Sequence, residues 1–101
     1  MARYRMEDNT VLDTDRATAS WEEAKRFNGN NHISIATGSQ WVHERLYRSR
    51  KGRYYIEHWS QWQGSLPSAE WVSKRQAASW LLANGHELPD DLAEEGEAVS
   101  E

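Results

Sequence analysis

Cysteine is absent from this chain, and its absence removes several functional classes at once. Without thiols there can be no disulfide framework, no thiolate metal site and no thiol nucleophile. A protein that does not depend on disulfides suits a reducing compartment. We therefore predict a cytoplasmic location.

Long apolar runs are also missing. No segment approaches the roughly 20 apolar residues that a membrane-spanning helix needs. The N-terminal sequence MARYRMEDNT lacks the apolar stretch of a secretion signal. We expect a protein that is neither secreted nor anchored and that has no membrane partner.

Phenylalanine occurs once, whereas there are six Trp and four Tyr among the 101 residues. The apolar fraction of 38% is sufficient for folding, and a chain of this length supports one hydrophobic core. Much of that core must consist of rings that carry a polar atom. We predict a flexible N-terminus over residues 1–9, a single α+β domain over residues 10–90 and an acidic tail over residues 91–101.

The net charge of −4 conceals an uneven distribution. The segment from Glu87 to Glu101 contains seven acidic residues and no basic one, which leaves 12 basic and 9 acidic residues in the remainder. Acidic segments without aromatic residues are typical of disordered, solvated tails. We expect such a disordered tail here, with a regulatory role as the alternative.

The strongest local pattern runs from Gln40 to Gln63. Two segments rich in aromatic and β-branched residues flank Ser49–Gly52, a sequence that suits a type I turn with Gly52 in the left-handed conformation. The pattern therefore predicts a long antiparallel β-hairpin. Its register places these residues opposite each other: Tyr47 and Tyr55, Leu46 and Ile56, Arg45 and Glu57, Glu44 and His58, and His43 and Trp59.

One helix is well supported by the sequence. Ser73 and Gln76 form a capping box, apolar residues follow at helical spacing, and Gly85 provides a stop. We predict a helix over residues 74–84, packed on one face of a three- to four-stranded antiparallel sheet. The hairpin face that carries Leu46 and Ile56 is the better candidate for the side that meets this helix.

Weaker patterns outside the hairpin and the helix predict further short elements. Val11 and Leu12 suggest a short strand that leads into a capped turn or a helical turn, because Asp13, Thr14 and Asp15 favour turns and helix caps. The remaining predictions are a helix of at most two turns from Ser20, a strand over His32–Thr37 and an edge strand over Glu70–Val72.

Several segments resemble a diffuse set of small, uncharacterised bacterial, phage and plasmid proteins. The resemblance rests on VLDTDRA at 11–17, ERLYRSRKGRYYI at 44–56, SQWQG at 60–64 and WVSKRQAASWLL at 71–82. Members share a D-T-x-x-A segment, an L-Y-R-x-x-x-G-x-[YW] hairpin and a closing helix. The resemblance implies an α+β fold, and it suggests a small accessory or inhibitory protein of a mobile element.

The predicted hairpin tip concentrates basic residues beside tyrosines. Cations that meet phosphates next to rings that stack on bases are typical of single-stranded nucleic-acid binding. A solvated tip and an acidic protein partner are the alternatives, because the chain as a whole is acidic. The candidate nucleic-acid-binding residues are Arg48, Arg50, Lys51 and Arg53.

The second hairpin face combines large rings with polar groups, a composition typical of protein interfaces. This face is either exposed or covered by the N-terminal segment. This face is the best candidate docking surface, and we therefore predict a non-enzymatic protein-binding module. The alternative function is a nucleic-acid-binding module that uses the hairpin tip. The candidate protein-binding residues are Trp41, His43, Arg45, Tyr47, Tyr55 and Trp59.

The four histidines do not form a recognisable metal motif. Zinc needs three or four converging ligands, and the chain has no pair of His on one helical face. A hydrogen-bonded pair of His58 and Glu44 at the margin of the core is the better interpretation. No nucleophile elbow or phosphate-binding glycine loop is present either, so we predict no metal, no cofactor and no enzymatic activity.

Overall fold

The computed structural model describes residues 3–27, 32–34, 37, 42–60 and 66–99. Within them a four-stranded antiparallel sheet has the order β3–β6–β7–β8, and β1–β2 and β4–β5 form two separate two-stranded ribbons. The strands are β1 Arg3–Arg5, β2 Val11–Asp13, β3 Ala19–Glu22, β4 Lys25–Phe27, β5 His32–Ser34, β6 Val42–Arg48, β7 Tyr54–Ser60 and β8 Ser68–Val72, and the helices are α1 Lys74–Ala83 and α2 Ala93–Val99. The predicted α+β class with a four-stranded sheet is confirmed.

The central hairpin has the register that the sequence predicted. Tyr47 lies opposite Tyr55, and Leu46 lies opposite Ile56. The backbone N–H of Gly52 donates to the carbonyl of Ser49 over 2.9 Å, and Gly52 has a φ of +87°. The left-handed glycine that the turn required is therefore present.

Two hydrophobic clusters lie on opposite faces of the sheet. On one face, Leu46 and Ile56 pack against α1 through Ala77 and Leu81. The other face carries a second cluster, which consists of Met6, Leu12, Tyr47 and Tyr55. Both faces of the central hairpin are thus covered.

The N-terminal segment is ordered as a hairpin, which differs from the flexible terminus expected over residues 1–9. β1 pairs with β2, and the turn between them is closed by a bond from the N–H of Asn9, at φ +68°, to the carbonyl of Met6. Tyr4 and Met6 pack onto the aromatic face of the sheet, which provides the burial that orders this segment. The predicted turn after β2 is confirmed, because Asp13 accepts a hydrogen bond from the N–H of Asp15.

The prediction of a short helix that starts at Ser20 is wrong. Residues 19–22 form β3 and pair with β6, which places Trp21 opposite Leu46. The Trp21 ring stacks on Tyr54 at 6.1 Å. This packing at the sheet edge outweighs the weak helix signal at Ser20. The strand predicted over His32–Thr37 is observed as His32–Ser34, while residues 35–36 lie outside the described ranges.

Helix α1 begins and ends with the predicted caps. Both hydrogen bonds of the capping box between Ser73 and Gln76 are present. At the other end the N–H groups of Gly85 and His86 donate to the carbonyls of Leu82 and Leu81, which is the Schellman pattern. The edge strand expected near residues 70–72 is confirmed as β8.

The described part of the acidic tail, which extends to Val99, is not the disordered segment that its composition predicted. A 3₁₀ turn over Asp90–Leu92 leads into α2, where Leu92 is fully buried against the first cluster. Gly96 is buried too, and a Cβ at this position would lie 2.1 Å from Leu88. These apolar contacts order the segment despite its charge. Neither helix of the described residues is long and apolar enough to cross a membrane.

Substituting Leu81 tests the packing of α1 on the sheet. Leu81→Ala should lower the free energy of unfolding by about 2–5 kcal/mol, because the side chain is fully buried. Leu82→Ala is the matched control, because the Leu82 side chain neighbours Leu81 in the helix but is 40% exposed. This substitution should lower the free energy of unfolding by less than about 1 kcal/mol. Denaturant titrations of both variants measure the difference, and equal effects would contradict the assigned face.

Substituting Gly52 tests the turn. A Cβ at this position would lie 3.6 Å from Arg48, which is an ordinary contact. Any destabilisation by a larger residue therefore arises from the positive φ and not from a clash. Gly52→Val should lower the free energy of unfolding by at least about 1 kcal/mol, whereas Gly52→Asn should be milder because Asn adopts this conformation more readily. An unchanged denaturation midpoint for Gly52→Val would refute the turn.

Candidate nucleic-acid interface

A groove of about 480 Å³ lies between the N-terminal hairpin and the turn that joins β6 to β7. We call it the tip groove. Asp13 is the one acidic residue among those that line it in the described structure. Five of the lining residues are basic: Arg3, Arg16, Arg50, Lys51 and Arg53.

Three separate parts of the fold bring these cations together. Arg3 lies in β1, and Arg16 ends the 3₁₀ turn after β2. Arg50 and Lys51 occupy the central positions of the β6–β7 turn, where both side chains are exposed. The groove therefore combines residues more than 30 positions apart in the chain.

Acidic partners already hold two of the four predicted tip residues. Arg53 lies 3.1 Å from Asp8 and stacks over the Trp71 ring at 3.7 Å. Hydrogen bonds from Thr10 and then Arg53 keep the pKa of Asp8 well below its usual range. Arg48 lies outside the tip groove, with its Nε atom 3.4 Å from a carboxylate oxygen of Asp91.

The other basic residues of the groove remain available to bind a ligand. Arg16, Arg50 and Lys51 are exposed, and within the described part of the chain none of them forms an ion pair. Arg3 is only partly available to a ligand. Its Nε lies 3.7 Å from Asp13, but its side chain is largely exposed. The predicted nucleic-acid set thus divides into two held and two available residues, and the structure adds Arg16 and Arg3.

Tyr55 and Trp71 contribute the aromatic part of the groove lining. Tyr55 is only 1% exposed, and its ring stacks on Tyr47 at 5.0 Å and meets the edge of Trp71 at 6.0 Å. Burial, followed by the charges of its neighbours, raises the pKa of the Tyr55 hydroxyl well above its usual value.

The aromatic hairpin face is covered, which decides between the two alternatives that the sequence left open. Tyr47 and Tyr55 lie beneath the N-terminal hairpin, and His43 is also buried. These three side chains cannot serve as exposed anchors in this structure. Of the remaining candidates, Arg45 and Trp59 are half-buried, and Trp41 lies outside the described residues.

Glu57 attaches the N-terminal hairpin to the aromatic face of the sheet. Its carboxylate accepts hydrogen bonds from the hydroxyls of Tyr4 and Tyr47. Arg45, which lies opposite Glu57 in the register, instead bonds to Glu22 over 2.7 Å. The position of Arg45 opposite Glu57 was predicted correctly, but the Glu57 carboxylate binds Tyr4 of the N-terminal hairpin.

The predicted pair of His58 and Glu44 is confirmed, with 2.9 Å between Nδ1 and the carboxylate. Glu70 lies 3.1 Å from the other ring nitrogen, and the indole N–H of Trp80 donates to Glu44. In the described ranges no three His or acidic side chains are placed to hold a metal ion. This network joins β6, β7, β8 and α1 structurally.

A second buried pair had no sequence signal. The Nδ1 atom of His43 lies 2.6 Å from Glu23, whose carboxylate also accepts the backbone N–H of Glu44. Glu23 follows the end of β3, so the pair depends on a strand where the sequence suggested a helix. Together with Trp59, Lys25 and Arg45, these residues border a smaller cavity of about 190 Å³.

Comparison with known proteins finds no family model, no curated protein and no solved structure that matches this chain. The resemblance described from the sequence therefore remains a prediction.

Proposed function

We propose that this protein is a nucleic-acid-binding module that holds a single strand in the tip groove. The observation that carries the proposal is the convergence of five basic residues on one groove whose lining contains a single acid in the described structure. Phosphate contacts supply most of the affinity in nucleic-acid binding without sequence preference. The groove provides such contacts from several directions.

The available cations define the roles within the groove. Arg16, Arg50 and Lys51 have no carboxylate partner among the described residues, so they bind phosphate without first breaking an ion pair there. Arg53 and Trp71 form a stacked pair at the groove wall, where Arg53 is exposed and Trp71 is half-buried. Such a surface suits stacking with an unpaired base, because every base presents a flat π-face.

The size of the groove favours a single strand. Its volume of about 480 Å³ falls within the range of small-molecule pockets, which is sufficient for one nucleotide unit. A duplex is too wide to enter a space of this size and would contact only the rim. The protein outside the groove is acidic overall, so a duplex lying across it would also meet repulsion.

A second candidate function is protein binding at the Trp59 end of the sheet. Trp59 is half-buried beside the smaller cavity, and the guanidinium of Arg45 lies 6.0 Å from its ring. An aromatic side chain flanked by Arg is typical of binding hot spots. This candidate retains Arg45 and Trp59 from the predicted surface without requiring the buried tyrosines.

The double variant Arg50→Ala/Lys51→Ala tests the first function. Binding of a fluorescein-labelled 12-nucleotide oligo-dT should weaken, because two phosphate-binding cations are removed from the groove. The slope of log affinity against log salt should flatten by about 0.7 for each phosphate that is no longer neutralised. Fluorescence anisotropy at several salt concentrations measures both quantities.

The matched control is Lys74→Ala/Arg75→Ala. It removes the same charge from exposed positions at the start of α1 that do not line the groove. It should leave the salt slope nearly unchanged. Equal weakening by both variants would indicate a general charge effect, and no salt-sensitive binding by the wild type would refute the function.

Trp59→Ala tests the second candidate. If a protein partner docks there, the substitution should weaken the complex by about 2 kcal/mol or more, because a central aromatic anchor is removed. Affinity capture from the native host, with nuclease treatment, identifies the partner. The amount of partner captured is then compared between the wild type and Trp59→Ala. Capture that is unchanged by Trp59→Ala, or that disappears with nuclease, would contradict this candidate.

A further inference from the structure

The hydroxyl of Tyr55 differs from those of the other described tyrosines. Tyr4 and Tyr47 donate to Glu57, and Tyr54 donates to Asp91. The Tyr55 hydroxyl is shielded from solvent and has no hydrogen-bond partner in the described structure. It is thus an unsatisfied donor on a residue that lines the tip groove.

An unpartnered buried hydroxyl is unfavourable for folding, and phenylalanine would fill the same space without it. The ring contacts with Tyr47 and Trp71 do not require the oxygen, since they depend on the π-faces. Packing therefore explains the ring and leaves the hydroxyl unexplained. A ligand that supplies an acceptor would satisfy it.

The surroundings indicate the charge of that acceptor. The hydroxyl is protonated at neutral pH, as phenols ordinarily are, so it can donate a hydrogen bond to a ligand. Burial, followed by the charges of Tyr47, Glu57 and Asp13, raises its pKa further. Arg16, Arg50 and Lys51 line the same groove and form no ion pair with the described residues. A phosphate fits these surroundings, because it carries negative charge and its oxygens accept hydrogen bonds from different directions.

We propose that the tip groove binds one backbone phosphate of a single-stranded nucleic acid, which accepts a hydrogen bond from the Tyr55 hydroxyl. This proposal rests on the proposed nucleic-acid function and names one residue of its site, Tyr55, which lines the groove. Entry requires a side chain at the rim to move, because the hydroxyl is shielded in this structure.

Tyr55→Phe tests this phosphate site with the smallest possible change. Affinity for the labelled 12-nucleotide oligo-dT should fall by about tenfold, the usual effect of removing a hydrogen bond to a charged group. The salt slope should stay as in the wild type, because no charge is removed. The midpoint of thermal unfolding should stay or rise, because the unsatisfied hydroxyl is gone.

Tyr54→Phe is the matched control. It also removes one buried phenolic hydroxyl, but that hydroxyl bonds to Asp91 and lies outside the groove lining. This variant should lower the unfolding midpoint and leave oligonucleotide affinity unchanged. The opposite responses of the two variants separate a ligand contact from a structural hydrogen bond.

Two further probes test the phosphate and the single strand. An oligo-dT with uncharged methylphosphonate linkages should bind much more weakly than the natural strand, and a 12-base-pair duplex should not bind more weakly when Tyr55 is changed to Phe. An equal decrease with the duplex would indicate a rim contact and overturn the phosphate site.

The two proposals fail in different ways. Absence of salt-sensitive binding by the wild type would refute nucleic-acid binding itself. Salt-sensitive binding that Arg50→Ala/Lys51→Ala weakens but Tyr55→Phe leaves unchanged would retain the proposed function and refute the phosphate site alone.

Discussion

The antiparallel pairing of β6 with β7 is the constraint on which the remaining structure depends. Since side chains alternate along a strand, the register sends Leu46 and Ile56 to one face and Tyr47 and Tyr55 to the other. One face receives the helices, and the other receives the N-terminal hairpin. A shift of one residue would turn the phenols toward α1 and would disrupt both clusters together.

Glu57 makes the second face compatible with a polar cover. Its half-buried carboxylate is stabilised by two phenolic donors, Tyr4 from β1 and Tyr47 from β6. Desolvation, followed by the nearby carboxylate, raises the pKa of both phenols, so each remains a donor. This junction holds the N-terminal hairpin over the sheet. The tip groove exists because that hairpin then ends beside the β6–β7 turn.

The elements that could be predicted are those specified by neighbouring residues. The turn at Gly52 and the caps of α1 depend on short sequence patterns with strong backbone preferences. The N-terminal hairpin does not, because Tyr4 and Met6 become buried only against residues that are distant in the chain, such as Tyr55. The ordered tail was missed for a related reason: its acidic composition conceals Leu92, which is buried in the cluster formed by α1 and the central hairpin.

The candidate site shows the same division. The sequence located the cations of the turn, since Arg50 and Lys51 immediately precede Gly52. It could not show that Asp8 and Asp91 hold Arg53 and Arg48, because those carboxylates approach only in the folded chain. Packing likewise brought Arg16 and Tyr55 to the groove. The cluster of basic residues in the sequence therefore overestimated the number of available cations at the hairpin tip, and it did not include Arg3 and Arg16.

The contrast between an acidic chain and a basic groove has a consequence for recognition. With a net charge of −4, the protein as a whole does not attract a polyanion, and salt at physiological strength screens charges beyond about 8 Å. Under the proposed function, attraction of a nucleic acid must therefore arise from short-range contacts at Arg16, Arg50 and Lys51. A flexible strand can bring one phosphate to these residues while the rest of its backbone bends away from the acidic surface. A stiff duplex cannot bend in this way, so under the proposed function the same charge distribution would weaken overall affinity and favour single strands.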